Sequence, residues 1–284
     1  MSSAPKLEGF EFLNVARRER CLHIELNRPE RLNALSRQVL LELDACMDAA
    51  EADAQVRSIV ISGAGKAFSS GFDLKEQMER RPEGLQAWRD ILELDFRVTM
   101  RFWHCPKPTI AAIHGACLAG AFELALACDT AVAAEDAFFG EPELKFGAGI
   151  VTMLLPWMVG PKQAKEIILL GLDHIDAAAA LRLGLVNRVV PSGTHLTAAF
   201  RIADNIAAID PDLMRETKAA INRSYEAGGM TLALQSALAI DHAIESRGSP
   251  DKKQFMDVAR TQGLKAALAW RDARFEEASR DRSL

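Results

Sequence analysis

The chain has 284 residues, 49% hydrophobic and 26% charged, with a net charge of −5 at pH 7. That is the composition of a globular protein with a sizeable core, and it lacks the global basic footprint of a nucleic-acid binder. The five cysteines, Cys21, Cys46, Cys105, Cys117 and Cys128, are odd in number and show no CxxC spacing, so the expectation is reduced thiols in a cytoplasmic setting, with neither a disulfide framework nor a zinc site.

Residues 1–20, MSSAPKLEGFEFLNVARRER, contain no apolar run of the secretory kind. CLHIELN (21–27) then alternates like a half-buried strand. RPERLNAL (28–35) breaks it and leads into an amphipathic helix, roughly 35–51, in which Leu35, Val39, Leu43 and Met47 recur on one face. RSIVIS (57–62) reads as a short buried strand that GAGKAF ends. Residues 76–96, EQMERRPEGLQAWRDILELDF, turn from polar to helical and read either as a lid over a pocket or as a solvated helix. TIAAI (109–113), TAVAA (130–134) and GLVNRVV (184–190) are further strands. The apolar region 109–134 carries His114, Glu123 and Asp129, which makes it a buried core and a poor membrane span. From about 194 strands disappear. Asp210-Pro211 and Ser249-Pro250 are helix starts, and Leu234, Leu238, Ile240 and Ile244 recur at helical spacing. The expected organisation is a core over 1–195 and a helical region over 196–284.

Three stretches combine small residues with polar ones: AFSSGFDLKE (67–76), HGACLAGAFELALACD (114–129) and GEPELKFGAGIV (140–151). A glycine before a turn lets backbone N–H groups approach a ligand with no Cβ in the way. Two such groups converging on one carbonyl oxygen make an oxyanion hole. Each stretch alone reads better as an ordinary turn, since glycine is the default turn residue. Glu123 is harder to dismiss, because a buried carboxylate costs several kcal/mol unless it is paired, hydrogen-bonded or neutralised. The six histidines are scattered, with no paired spacing for zinc, and neither GxGxxG nor a Walker spacing occurs.

Together the motifs RPERLNAL (28–35), GAGKAFSSGFDLKE (63–76), KPTIAAIHGACLAGAFELALACD (107–129), FGEPELKFG (139–147) and AAAALRLGLVNRVVP (177–191) resemble the enoyl-CoA hydratase/isomerase (crotonase) superfamily. The resemblance implies an α/β fold, a spiral core of repeated ββα units with a C-terminal α-helical region, assembled as a homotrimer or homohexamer. It implies an acyl-CoA substrate, with coenzyme A as part of the substrate rather than a cofactor, and no metal. Phe72 and Gly120 fall where the family supplies the two oxyanion N–H groups, and Glu123 and Glu143 where its hydratases carry catalytic glutamates. Arg31, Ala34, Ala67, Ser69, Ser70 and Lys75 fall near its coenzyme A positions, while Arg271 and Arg274 near the C-terminus are basic residues that could meet phosphates. The implied reaction is hydration of a 2-enoyl-CoA to a 3-hydroxyacyl-CoA. The alternatives are double-bond isomerisation and a catalytically weak acyl-CoA- or RNA-binding relative. Two departures stand out. AGA (119–121) replaces the family's usual GGG, and Phe72 is bulky where many hydratases have alanine.

Overall fold

Two sheets are built from strands that the chain deals to them in turn. The computed structural model describes residues 8–280, with side chains through residue 275. A hairpin of β1 (Leu13–Arg18) and β2 (Cys21–Leu26) opens the larger sheet, in antiparallel register from Leu13 opposite Leu26 to Arg18 opposite Cys21. Helix α1 (Arg37–Ala52) follows, and Ser36 caps it by accepting the Val39 N–H at 3.3 Å. Its face of Val39, Leu40, Leu43 and Met47 is buried in the main core. Strand β3 (Ser58–Gly63) lies parallel to β2. Two helices, α2 (Leu74–Arg80) and α3 (Gly84–His104), separate it from β4 (Thr109–Ile113).

The repeat then becomes visible. Strands β4, β6 (Thr130–Ala134) and β9 (Arg188–Val190) extend the first sheet in parallel, in the order β1-β2-β3-β4-β6-β9. Strands β5 (Ala116–Leu118), β7 (Phe138–Gly140) and β8 (Ile175–Asp176) form the second, in the order β5-β7-β8. From β4 onward each turn of the chain thus leaves one strand in each sheet. Helix α4 (Gly120–Ala127) joins β5 to β6 and is buried along its whole length. Helices α5 (Leu155–Met158), α6 (Pro161–Leu169) and α7 (Ala177–Leu183) flank β8. This is the α/β spiral that the resemblance implies.

Among the described residues only helices follow β9, and the first of them packs on the sheet. Helix α8 (His195–Ala207) packs Ala199 and Ala203 against Val60, Ile110, Ala112 and Val132 on the sheet, so it belongs to the core rather than to an appendage from 196. Helices α9 (Pro211–Ala227), α10 (Met230–Arg247), α11 (Pro250–Gln262) and α12 (Leu264–Arg280) make up the rest. Asp210 and Ser249 do cap α9 and α11, each with proline in the first turn. Helix α10 lies along α3, and α11 reaches both α2 and the 3-10 turn Glu143–Phe146. No helix among the described residues is long and apolar enough to cross a membrane.

Candidate active site

The site begins where two turns touch. Ser69 ties its own turn to β5: its N–H donates to the Ala116 carbonyl at 3.0 Å, and its carbonyl accepts the Leu118 N–H at 3.2 Å. Its hydroxyl donates to the Asn33 carbonyl at 2.8 Å and accepts the Gly71 N–H at 3.2 Å. Gly71 has φ +90°, and a Cβ there would stand 2.7 Å from the Leu118 carbonyl oxygen and 3.3 Å from the Gly120 nitrogen. Only glycine allows both the conformation and the approach. The N–H groups of Phe72 and Gly120 therefore emerge side by side, and neither has an acceptor among the described residues. Ala119 sets the second donor by a φ of 55° and ψ of −136°, a region alanine rarely occupies. Its carbonyl accepts the N–H groups of Phe122 and Glu123, which leaves that of Gly120 unengaged. The Phe72 ring lies across Gly120, where a Cβ would meet its Cε2 at 2.2 Å.

Beside these donors is a cluster of buried acids. Glu123, in the first turn of α4, has no exposed surface; its Oε1 accepts the Thr152 N–H at 2.7 Å, and its Oε2 has no partner. Glu143 opens the 3-10 turn, and its Oε2 is also unpartnered. Burial pushes the Glu143 carboxyl up to about 7, opposed by a local backbone N–H and by the Glu141 side chain. Burial raises Glu123 as well, and the charge of Glu143 raises it further. Glu123 thus resists ionisation while Glu143 is charged.

Three more acids join this cluster, and the sequence reading assigned a role to none of them. Glu141, two residues before Glu143 in GEPEL, is 1% exposed and lifted by burial and by both glutamates. Asp95 on α3 and Asp241 on α10 are buried, and burial raises both, Asp241 to about 7. Their signal was an acid inside the apolar stripe of an amphipathic helix. Sequence reasoning instead took Ile240 as the core position on α10, and it is 63% exposed.

The positions that the resemblance places near coenzyme A lie around the turn before Gly71. Arg31 closes the turn Pro29–Arg31 at the surface. Ala34 is buried, with its carbonyl accepting from Arg28 Nη1, and Ala67 is buried, with its carbonyl accepting from Asn33 Nδ2. The Ser70 N–H donates to the Leu32 carbonyl at 3.0 Å, and Lys75 is exposed in the first turn of α2. A cleft of about 330 Å³ opens here, bounded by Leu35, Arg37, Phe72, Glu76, Arg80 and Asp95. Phe72 is therefore at once a wall of the cleft and a cover on Gly120. The two C-terminal arginines are placed otherwise. Arg271 is 9% exposed, pairs with Asp272 and stacks 4.7 Å over the Phe146 ring. Arg274 pairs with Asp251 at 2.9 Å and stacks over Trp270. Both guanidiniums are already held by carboxylates and aromatic faces. Among the described residues no group of three His, Cys, Asp or Glu side chains is arranged to hold a metal ion.

Fold and site together define a protein with two unengaged backbone donors near buried carboxyls. The enoyl-CoA hydratase/isomerase family model matches residues 17–269, and the chain belongs to that family. A putative enoyl-CoA hydratase from Thermus thermophilus is 43% identical over 197 residues, 68% of this chain and 77% of its own. The rat mitochondrial Delta(3,5)-Delta(2,4)-dienoyl-CoA isomerase is 37% identical over 216 residues, 72% of this chain and 65% of its own. Among solved structures, an enoyl-CoA hydratase/isomerase from Xanthobacter autotrophicus Py2 is 62% identical with a TM-score of 0.93, covering 94% of this chain and 99% of the other. An enoyl-CoA hydratase from Mycobacterium smegmatis matches at 27% identity with a TM-score of 0.86, covering 94% of this chain and 95% of the other.

Proposed function

We propose that the chain hydrates a 2-enoyl-CoA to the 3-hydroxyacyl-CoA. The observation that carries this is the pair of unpartnered carboxyl oxygens, Glu123 Oε2 and Glu143 Oε2, buried in one cluster beside the free N–H groups of Phe72 and Gly120. The thioester carbonyl oxygen accepts from both N–H groups, which stabilise the negative charge it gains; a donor of this kind contributes about 3 kcal/mol in the transition state. Glu123, steadied by the Thr152 N–H, accepts a proton from water as its oxygen bonds Cβ. Glu143 gives its proton to Cα. The proton gained by Glu123 then passes to Glu143, and the pair returns to its starting state. No electrons are exchanged, so the chemistry asks for no redox cofactor, and the protons move between carboxyls without a metal.

Coenzyme A lies along the rim near Arg31, Ala34, Ser70 and Lys75, with Ala67 and Ser69 buried behind it as supports of the turn. Arg271 and Arg274 are left out of this site because their charges are already engaged. The five buried free thiols suit a reducing, cytoplasmic compartment. Leu213, Ile221, Leu232 and Ile240, each more than half exposed on α9 and α10, favour burial against further copies in a trimer or hexamer. Double-bond isomerisation is the second reading. Glu143 alone supplies the proton exchange it needs, and the likeness to a dienoyl-CoA isomerase favours it.

Turnover of crotonyl-CoA and of 3-enoyl-CoA by Glu123→Gln and Glu143→Gln tests both. Glu143→Gln is expected to lower both activities by roughly 10²–10⁴-fold. Glu123→Gln is expected to lower hydration far more than isomerisation. Equal losses from Glu123→Gln would overturn the division of roles between the two glutamates, and full activity in Glu143→Gln would overturn the reaction class.

A further inference from the structure

The loop that Glu123 grips is gripped a second time, by a carboxylate from the helical part. It runs from Gly147, where the 3-10 turn of Glu143 ends, to Thr152, whose N–H donates to Glu123 Oε1 at 2.7 Å. Its first residues belong to the turn: the Gly147 N–H donates to the Leu144 carbonyl and the Ala148 N–H to that of Glu143, both at 3.1 Å. Beyond them the backbone has few holds. The N–H groups of Ile150 and Val151 find no acceptor among the described residues, although both residues are buried. The Gly149 N–H donates to Glu245 Oε1 at 3.0 Å. Two buried carboxylates, Glu245 at Gly149 and Glu123 at Thr152, thus pin residues 149–152 at their two ends.

Of the two, Glu245 is the more firmly held. It sits on α10, and its other oxygen pairs with Lys252 of α11. The Lys252 ammonium lies 4.1 Å from the centre of the Trp88 ring, which ties the pair to α3. Ser249, at the corner between α10 and α11, donates its hydroxyl to the Gly147 carbonyl at 2.9 Å and accepts the Lys252 N–H at 2.9 Å. Glycine lets this corner come down on the loop. A Cβ on residue 147, where φ is +71°, would stand 2.1 Å from Ser249 Oγ. One on residue 149 would stand 1.7 Å from Oδ1 of Asp241, the acid one turn before Glu245 on α10. Glu123, by contrast, has the Thr152 N–H on one oxygen and no partner on the other.

We propose that Glu245 is a positioning residue of the active site, acting through Glu123: by holding the Gly149 N–H it keeps the Thr152 N–H on Glu123 and so fixes where the unpartnered oxygen of Glu123 points. This inference rests on Glu123 being the group that takes the proton from water. Glu245 takes no part in the proton transfers. Glu143 does not depend on it in the same way, because the bonds of its own turn hold the near end of the loop. Loss of the hold on Gly149 therefore separates the two glutamates, lowering hydration and sparing isomerisation.

The test compares two double variants that both remove the ion pair, so that neither leaves a buried charge alone. Glu245→Gln with Lys252→Met keeps an acceptor for the Gly149 N–H; Glu245→Leu with Lys252→Met does not. The first readout is hydrogen exchange at the Thr152 amide in ligand-free protein. The Leu variant is expected to exchange there roughly tenfold faster or more than the parent, and the Gln variant at the parental rate. The second is turnover of crotonyl-CoA and of 3-enoyl-CoA. The Leu variant is expected to lose about tenfold or more in kcat for hydration with isomerisation within about twofold, and the Gln variant to keep the parental ratio. Thr152 exchange that is unchanged in the Leu variant overturns the proposal, as does an equal loss of both activities. A parental ratio in the Leu variant overturns it too, provided that Glu123→Gln lowers hydration. Should the Leu variant not fold, Glu245→Asp keeps the charge for Lys252 and draws the acceptor back from Gly149 by one methylene, and the same outcomes decide. The exchange measurement needs no substrate. A Thr152 amide that responds to the Leu variant while Glu123→Gln keeps full hydration would fault the reaction assigned above and leave the hold on the loop standing.

Discussion

Ala119 shows how much a single backbone angle decides. Its φ of 55° with ψ of −136° turns the chain sharply out of β5, so that α4 starts with a free Gly120 N–H. For a residue with a Cβ, such a conformation costs on the order of 1–3 kcal/mol. The family's habit of glycine at this place has the same physical cause, and in this chain the alanine carries the strain. Ala119→Gly is therefore expected to stabilise the fold by about 1 kcal/mol, less whatever the freer unfolded chain takes back. Urea unfolding of the two proteins checks it, as a rise in midpoint at unchanged slope. A lower midpoint would mean that the Ala119 methyl contributes more by packing than its backbone loses. The replacement of GGG by AGA is plain in the sequence. That the first alanine, rather than the second, bears the strain is not, because the letters do not tell which residue turns.

At the scale of elements, α3 and α10 form the wall over the site. Trp88 and Leu92 of α3 pack with Leu238 of α10 and Val151 of the loop, and the Phe72 and Phe96 rings join them. The segment 76–96 is thus neither a solvated helix nor a detached lid: its second half packs into an apolar cluster that includes the Phe72 ring. The Phe72 ring lies on Gly120, and in the proposed reaction it takes up space that an acyl chain would otherwise use. Phe72→Ala keeps the backbone donor and opens that space. The expected result is a gain in kcat/KM for a branched or long 2-enoyl-CoA relative to crotonyl-CoA by roughly tenfold or more, since each well-packed methylene is worth about 1–3 kcal/mol. A collapse with every thioester tested would show that the ring holds the donor in place rather than limiting the substrate. Strands β4 and β6 were legible to the residue because TIAAI and TAVAA are short apolar runs buried on both faces. Strand β1 was not, since LNVARR is an edge strand in which only Leu13 is buried. Strands β5 and β7 are three residues each, too short for any period to register. Asp95 and Asp241 escaped for a different reason. A helical period assigns faces to the commonest residue type on them, and an acid facing the core is overruled by its apolar neighbours.

For the molecule as a whole, the buried acids set how stability changes with pH. Asp241 ionises near 7 in the fold, against an ordinary 3.8 once the chain is open. Burial is the main cause and the Glu245 charge adds to it. Below about 4 the group is neutral in both states and has no effect. Between about 4 and 7 the unfolded chain releases this proton while the folded one keeps it, so stability falls as pH rises. Above about 7 both states are ionised and the loss is complete, on the order of 4 kcal/mol for this group at about 1.4 kcal/mol per pH unit. The histidines His23, His104 and His195, held below their ordinary value by desolvation, act oppositely and take stability away as pH falls below 6.5. The total profile mixes the two, so the informative quantity is a difference. Asp241→Asn removes the acid's share and leaves the histidines as they are. Its stability relative to the parent is expected to increase steadily from pH 4 to pH 7 and then level off, read from urea unfolding at fixed ionic strength. A difference that stays flat across that range would mean that the Asp241 carboxyl is solvated in the folded protein, with α10 standing off from Gly149 far enough to admit water.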